Sequence, residues 1–177
     1  MSTRTHIPLP DIAQGFTLVE LLITLVIVGI LTAIAVPSFT NMINNNRAVG
    51  ATENLAATLR VAQMEAVKRH RNIVVAFQGS GTATWCWGIS EVSACDCTDA
   101  NACKIDGASR VVSSMDYRGV TLTATTNFSF NPIRNTVTGG NATFTGANSN
   151  QARVVISDFG RIRFCSPTSN LGGYPGC

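Results

Sequence analysis

Three sets of side chains in this sequence have the type and spacing to do chemistry: six cysteines, two arginines near the C-terminus and one glutamate inside an apolar run. Cys86, Cys95, Cys97 and Cys103 share one stretch, while Cys165 and Cys177 bracket the segment SPTSNLGGYPG. Four closely spaced sulfurs can bind zinc as thiolates or pair with one another. The CxC followed by a five-residue gap departs from the usual CxxC pair spacing, and this favours disulfides over a metal site. A Cys165–Cys177 bridge would close a short loop and stabilise it by a few kcal/mol through the unfolded chain. Pairing among the first four stays open, except that Cys95 and Cys97 are poorly placed to bond each other. The arginines lie in Val154–Cys165, VVISDFGRIRFC. A strand there ends at Ser157-Asp158, turns through Phe159-Gly160 and resumes as Arg161-Ile162-Arg163-Phe164. Alternation puts Arg161 and Arg163 on one face and Ile162 and Phe164 on the other. By itself this pattern describes a half-buried edge strand whose charges discourage edge-to-edge pairing.

Catalysis has little to draw on. The histidines are His6 and His70, so a Ser/His/Asp arrangement would rest on a single histidine beyond the first residues. No glycine loop precedes a helix to cradle phosphate, and no His/Glu pair has metal-ligand spacing. Glu53 and Glu65 stand about three helical turns apart, too far to share acid and base roles. Neither an enzyme nor a cofactor is expected.

The elements that position these groups follow from periodicity. Phe16 to Val36 is apolar or small throughout except for Glu20, long enough for a helix to cross a hydrocarbon core of roughly 30 Å. A carboxylate in such a segment is costly and points to function. After Pro37 the helical period continues through Phe39, Met42, Ile43, Leu55, Leu59, Ala62 and Ala66, with a gap around Asn44-Asn45-Asn46 and Gly50. That face should lie on a sheet while Arg47, Glu53, Arg60, Glu65 and Lys68 face solvent. Lys68-Arg69-His70-Arg71 stands where cations complement the helix dipole, with a binding patch as the alternative.

From Asn72 the period becomes strand-like, over 73–77, 84–89, 110–114, 120–125, 127–130, 142–145 and 153–157. Glycine-rich turns separate these runs. A long helix followed by an antiparallel sheet makes an α+β fold in which the helix covers one sheet face. A net charge of +3 is mild and does not demand nucleic acid. All six cysteines lie beyond residue 85, which places the downstream part in an oxidising compartment. The leader sets Arg4 against Asp11 and is only weakly basic.

Gly15 followed by FTLVELL, an apolar helix and Pro37 resembles the type IV pilin and type II secretion pseudopilin family with its class III signal. The resemblance implies a leader over 1–15, a transmembrane and assembly helix over 16–37, an amphipathic helix over 38–71 and a β-rich periplasmic head over 72–177. It further implies cleavage between Gly15 and Phe16 by a prepilin peptidase and N-methylation of Phe16. Glu20 would meet a neighbouring subunit's terminal amine, and the chain would pass from the inner membrane into a pilus with other pilin subunits. The segments AVKRHRNIVVAF, FSFNPIRNTVTGGNATFTG and SDFGRIRFC look like the GspH/FimT/FimU class, most like FimT. In that class a GRxR motif marks pilins that bind DNA for natural transformation, and Gly160, Arg161, Ile162 and Arg163 match it. The resemblance therefore implies phosphate contacts from Arg161 and Arg163, helped by Arg153 or Arg134, with Gly160 letting the DNA backbone approach closely. No aromatic platform stands out beside the arginines, which favours duplex over single-stranded DNA. The alternative within the class is a structural FimU-like or GspH-like subunit without DNA binding.

Overall fold

The computed structural model of the protein describes residues 15–91, 93–99, 101–134, 136–168, 171 and 173–177. Residues 1–14, with Arg4, His6 and Asp11, lie outside the described residues. The chain divides into two units, one ending at Ser38 and the other running from Phe39 to Cys177, and the single long helix α1, Leu18–Arg69, contributes to both.

In the first unit α1 begins at a cap. The Thr17 hydroxyl oxygen accepts the Glu20 backbone N–H at 3.2 Å, and the Thr17 carbonyl accepts the Leu21 N–H at 3.2 Å. Thr17-Leu18-Val19-Glu20 thus has the order of a capping box, with Glu20 in the first turn where the helix dipole favours an anion. The apolar side chains that follow are uncovered, and the segment is long and apolar enough to cross a membrane. The hydroxyls of Thr24 and Thr32 are satisfied from within the helix, as hydrocarbon requires. Thr24 Oγ1 donates to the Leu21 carbonyl at 2.9 Å, and Thr32 Oγ1 donates to the carbonyls of Val28 and Gly29 at 2.9 and 3.0 Å. Pro37 lies inside α1, where its ring removes one N–H from the helical ladder.

In the second unit α1 buries Ala48, Ala51, Thr52, Leu55, Ala56, Leu59, Ala62 and Ala66 at spacings of three and four. Alanine at most of these positions lets the sheet backbones come close, and the Thr52 hydroxyl donates to the Ala48 carbonyl at 2.7 Å. The buried stripe starts later than periodicity suggested. Phe39 and Met42 are exposed, because burial along the helix begins only at Ala48. Helix continues through Asn44–Asn46 and Gly50, where Arg47 Nη1 donates to the Arg118 carbonyl at 3.0 Å and to Asn44 Oδ1 at 3.2 Å.

The strands are β1 (Ile73–Gln78), β2 (Cys86–Glu91), β3 (Lys104–Ile105), β4 (Ala108–Ser109), β5 (Val111–Ser113), β6 (Thr121–Ala124), β7 (Phe128–Asn131), β8 (Thr136–Val137), β9 (Gly140–Thr145), β10 (Gln151–Ile156) and β11 (Ile162–Cys165). They form a five-stranded sheet in the order β5-β2-β1-β7-β8, a four-stranded sheet in the order β11-β10-β9-β6 and the hairpin β3-β4, antiparallel throughout. This is one long helix packed on antiparallel sheet, the α+β arrangement expected from the sequence. One core joins the helix stripe to the inward residues of both larger sheets. At its centre Trp85 and Trp87 stack at 5.3 Å, with the Phe144 ring edge-on to both.

The cysteines pair as Cys86–Cys97, Cys95–Cys103 and Cys165–Cys177, with Cα separations of 5.8, 5.3 and 5.0 Å. A Cβ at Gly88 would lie 2.4 Å from Cys103 Sγ, so glycine is what lets the second bridge cross β2. Lys68-Arg69-His70-Arg71 does more than face the helix dipole. Arg69 donates to Glu65 and Glu91 at 2.7 Å each and also to Asp106, joining the helix end to β2 and to the β3-β4 turn. Lys68 and Arg71 add contacts to Glu65 and Glu91 at 3.6 and 3.7 Å. His70 ends the helix in the left-handed region, at φ 52°.

Candidate nucleic-acid interface

Strands β10 and β11 form a hairpin in which Ile156 pairs with Ile162, Val155 with Arg163, Val154 with Phe164 and Arg153 with Cys165. Val154 and Ile156 are buried in the core, and Ile162 and Phe164 pack against it on the same face. The opposite face therefore carries Arg153, Val155 and Arg163, with Arg161 just before the strand in the same alternation. Five residues, Ser157 to Arg161, connect the strands, and the first four, Ser157-Asp158-Phe159-Gly160, make the turn. The Gly160 N–H donates to the Ser157 carbonyl at 2.8 Å, and the Arg161 N–H donates to Ser157 Oγ at 3.1 Å. Gly160 has φ 76° and is buried, and a Cβ there would stand 2.9 Å from Gln63 Nε2 of α1. Its small size is used inside the protein, against the helix. Gly160 thus has a turn-shaping role of its own, since a side chain there would meet the helix.

The four arginines divide by what holds them. Arg161 and Arg163 are exposed, and among the described residues neither guanidinium makes an ion pair or a hydrogen bond. Arg153 is half-buried and its Nε donates to Thr143 Oγ1 at 2.8 Å, which holds it flat along the sheet. Arg134 is exposed in the turn between β7 and β8. That turn is linked to the Phe159 turn through β8, since the Val137 N–H donates to the Asp158 carbonyl at 2.8 Å and the Gly139 N–H to Asp158 Oδ1 at 3.2 Å. Arg60, assigned from sequence to the outer helix face, shares a shallow cleft with Gln63, the residue against Gly160. It brings a further cation to this end of the head. The acidic groups here are Asp158 in the turn and Glu53, which lines an open cleft together with Arg163 and Tyr174.

One residue corrects the expectation of an interface without aromatics. Phe159 projects from the turn 86% exposed, one position from Gly160 and two from Arg161. Its turn placement hid it, because period-two alternation stops at Asp158 and says nothing of what the next side chain touches. Ile133, beside Arg134, is 88% exposed. Beyond Arg163 the tail folds back along the edge strand. The Ser166 N–H donates to the Pro175 carbonyl at 2.8 Å, the Phe164 and Tyr174 rings meet edge-on at 6.0 Å, and the Tyr174 hydroxyl donates to Glu53 Oε1 at 3.1 Å. Burial first, then the Glu53 carboxylate, pushes the Tyr174 phenol up to about 12. Gly15 and Phe16 lie at the other end of the chain, ahead of the capped helix start, and Phe16 is exposed.

Residues 51–160 match the family described as Type II transport protein GspH, and residues 12–36 match the prokaryotic N-terminal methylation motif. The GspH match stops at Gly160, so Arg161 and Arg163 lie just past it. The type IV narrow pilus major component PilA5 of Thermus thermophilus is 33% identical over 95 residues, 51% of this chain and 82% of that protein. The minor pseudopilin EpsH from the type 2 secretion system of Vibrio cholerae is similar in fold, with TM-score 0.52 and 13% identity over 68% of this chain and 98% of that one. The type IV minor pilin FimU of Pseudomonas aeruginosa superposes with TM-score 0.49 and 21% identity, over 73% of this chain and 95% of that one. A long apolar helix that opens on a methylation motif, a sheet head of pilin-like fold and a match over most of that head together place this chain in the GspH family.

Proposed function

We propose that the protein is a minor pilin of the FimT type, incorporated in a type IV pilus at or near its tip, where it captures extracellular duplex DNA for natural transformation. The observation that carries this reading is the pair Arg161 and Arg163, exposed, unpaired among the described residues and presented by a strand fixed on both sides by its hairpin and its disulfide-closed tail. Arg69 is consumed by three carboxylates and Arg47 by a carbonyl, whereas Arg161 and Arg163 stand two residues apart on one face of an ordered hairpin. Phosphate oxygens satisfy such groups with charge-assisted hydrogen bonds and without regard to sequence. Two or three contacts give weak, salt-sensitive binding, which several subunits in one fibre raise through effective concentration.

Assembly comes first in this account. A prepilin peptidase cuts between Gly15 and Phe16 and methylates Phe16, α1 holds the subunit in the inner membrane with its head in the periplasm, and Glu20 pairs with the terminal amine of a neighbouring subunit. A second reading has support in the family description itself and in the fold shared with EpsH: a structural subunit that primes a pilus or serves type II secretion, without binding DNA. The mature chain in detergent micelles, titrated with duplex DNA at low salt, separates the two. The DNA reading expects measurable binding whose log K falls against log salt with a slope of about −2 for two phosphates. It also expects loss of binding in Arg161→Ala/Arg163→Ala. Unchanged affinity in that double variant would sink it.

A further inference from the structure

We propose that Phe159 is a base-contacting residue of this interface. The site then prefers DNA with an unpaired base, at a frayed end, a gap or a single strand, to an intact duplex of the same length. The inference rests on the DNA-binding reading and moves its preferred ligand from intact duplex to DNA with an unpaired base.

The geometry is a rigid presentation of one ring among cations. Phe159 is 86% exposed, yet the turn that carries it is tied down by Gly160 N–H to the Ser157 carbonyl at 2.8 Å, Val137 N–H to the Asp158 carbonyl at 2.8 Å and Gly139 N–H to Asp158 Oδ1 at 3.2 Å. Gly160 is pressed against Gln63. The ring is therefore held out by a fixed backbone. An exposed phenyl gains by being covered, and an unstacked base covers it over a whole π-face, where the sugar of the backbone offers only a few C–H groups. Arg161 and Arg163 stand two and four residues on, and Arg134 and Arg60 come from the neighbouring turn and helix. An aromatic ring flanked by unpaired guanidinium groups reproduces the alternation of base and phosphate along a single strand. In an intact duplex the bases are already stacked on each other, so the ring reaches one only by unstacking a step.

Salt dependence separates the two kinds of contact. Stacking releases no counterions, whereas each phosphate contact steepens the slope of log K against log salt by about 0.9 on duplex and 0.7 on single strands. The mature chain in detergent micelles is titrated with a single strand, a gapped duplex and a blunt duplex at several salt concentrations. Phe159→Ala is expected to weaken the first two by roughly 5- to 150-fold with the slope unchanged, leaving the blunt duplex nearly unaffected. Phe159→Trp should retain binding, and its added indole fluorescence should be quenched by the single strand. Arg161→Ala/Arg163→Ala should weaken all three ligands and flatten the slope. If Phe159→Ala binds every ligand like the parent while the arginine double variant fails, the stacking role is wrong and the DNA reading stands. If the parent chain binds no DNA at all, the DNA reading itself fails. If Phe159→Ala keeps its DNA affinity but loses incorporation into fibres, the ring is a subunit contact and the proposal is overturned.

Discussion

At the scale of single residues, the hairpin turn hinges on Gly160. Its φ of 76° is one that side chains bearing a Cβ adopt at a cost of about 1–2 kcal/mol. The added methyl of Gly160→Ala would also meet Gln63 Nε2 at 2.9 Å, a flexible end that can swing aside. This variant is expected to lose about 1–2 kcal/mol by denaturant unfolding, with the arginines still present but their turn displaced. Arg69 makes the opposite kind of residue-scale statement. Its hydrogen bonds hold the carboxyls of Glu65 and Asp106 below their ordinary range. Groups whose folded pKa is depressed contribute stability that is present above the ordinary carboxylate range and lost as pH falls through and below it. Acid titration of Arg69→Met should therefore show unfolding that begins at higher pH than in the parent chain. The alternation that puts Arg161 and Arg163 outward and Ile162 and Phe164 inward was legible in the sequence, because a strand's side chains have a fixed period. Phe159 was not, since a turn has no period and only the fold shows what covers a given side chain.

At the scale of elements, the C-terminal tail is the feature most open to test. Cys165 and Cys177 are 12 residues apart, and a loop of that size confines the unfolded chain by about 3 kcal/mol. Replacing both with serine is expected to cost about 2–4 kcal/mol in denaturant unfolding and to raise hydrogen exchange along β11. Tyr174 adds a pH limit to the same element. Its phenol rises from 10.0 to about 12, so it contributes stability below pH 10 that is lost as the pH climbs through 12. Ultraviolet titration of the phenolates should show a late phase near pH 12 that disappears in Tyr174→Phe. Long elements could be read from sequence and short ones could not. The strands of four or more residues fall on runs rich in Val, Ile, Thr and aromatics. The two-residue strands β3, β4 and β8 exist only because a neighbouring backbone pairs with them. Likewise the helix period was clear, but where burial starts along it, at Ala48, depended on how far the sheets extend.

At the scale of the whole molecule, the sequence motifs and the fold speak to different stages of one life history. Thr17 caps the helix through the Glu20 N–H, so that backbone role survives any side chain at position 20. Glu20→Gln is accordingly expected to preserve the helix and leader cleavage while sharply reducing incorporation into fibres, measured as the subunit's yield in sheared filaments. Normal yield would remove Glu20 from assembly. The three disulfides also give the head a mechanical character. Strand β11 is at the edge of its sheet, so a load drawn sideways through a bound polymer would peel it one ladder bond at a time. Covalent closure to the tail shortens the slack that peeling can release, and the linked pairs Cys86–Cys97 and Cys95–Cys103 lock a second stretch of contour. Stretched between its ends, the oxidised head should yield less extension per unfolding event than the reduced one, so the bridges limit how far the head lengthens under load.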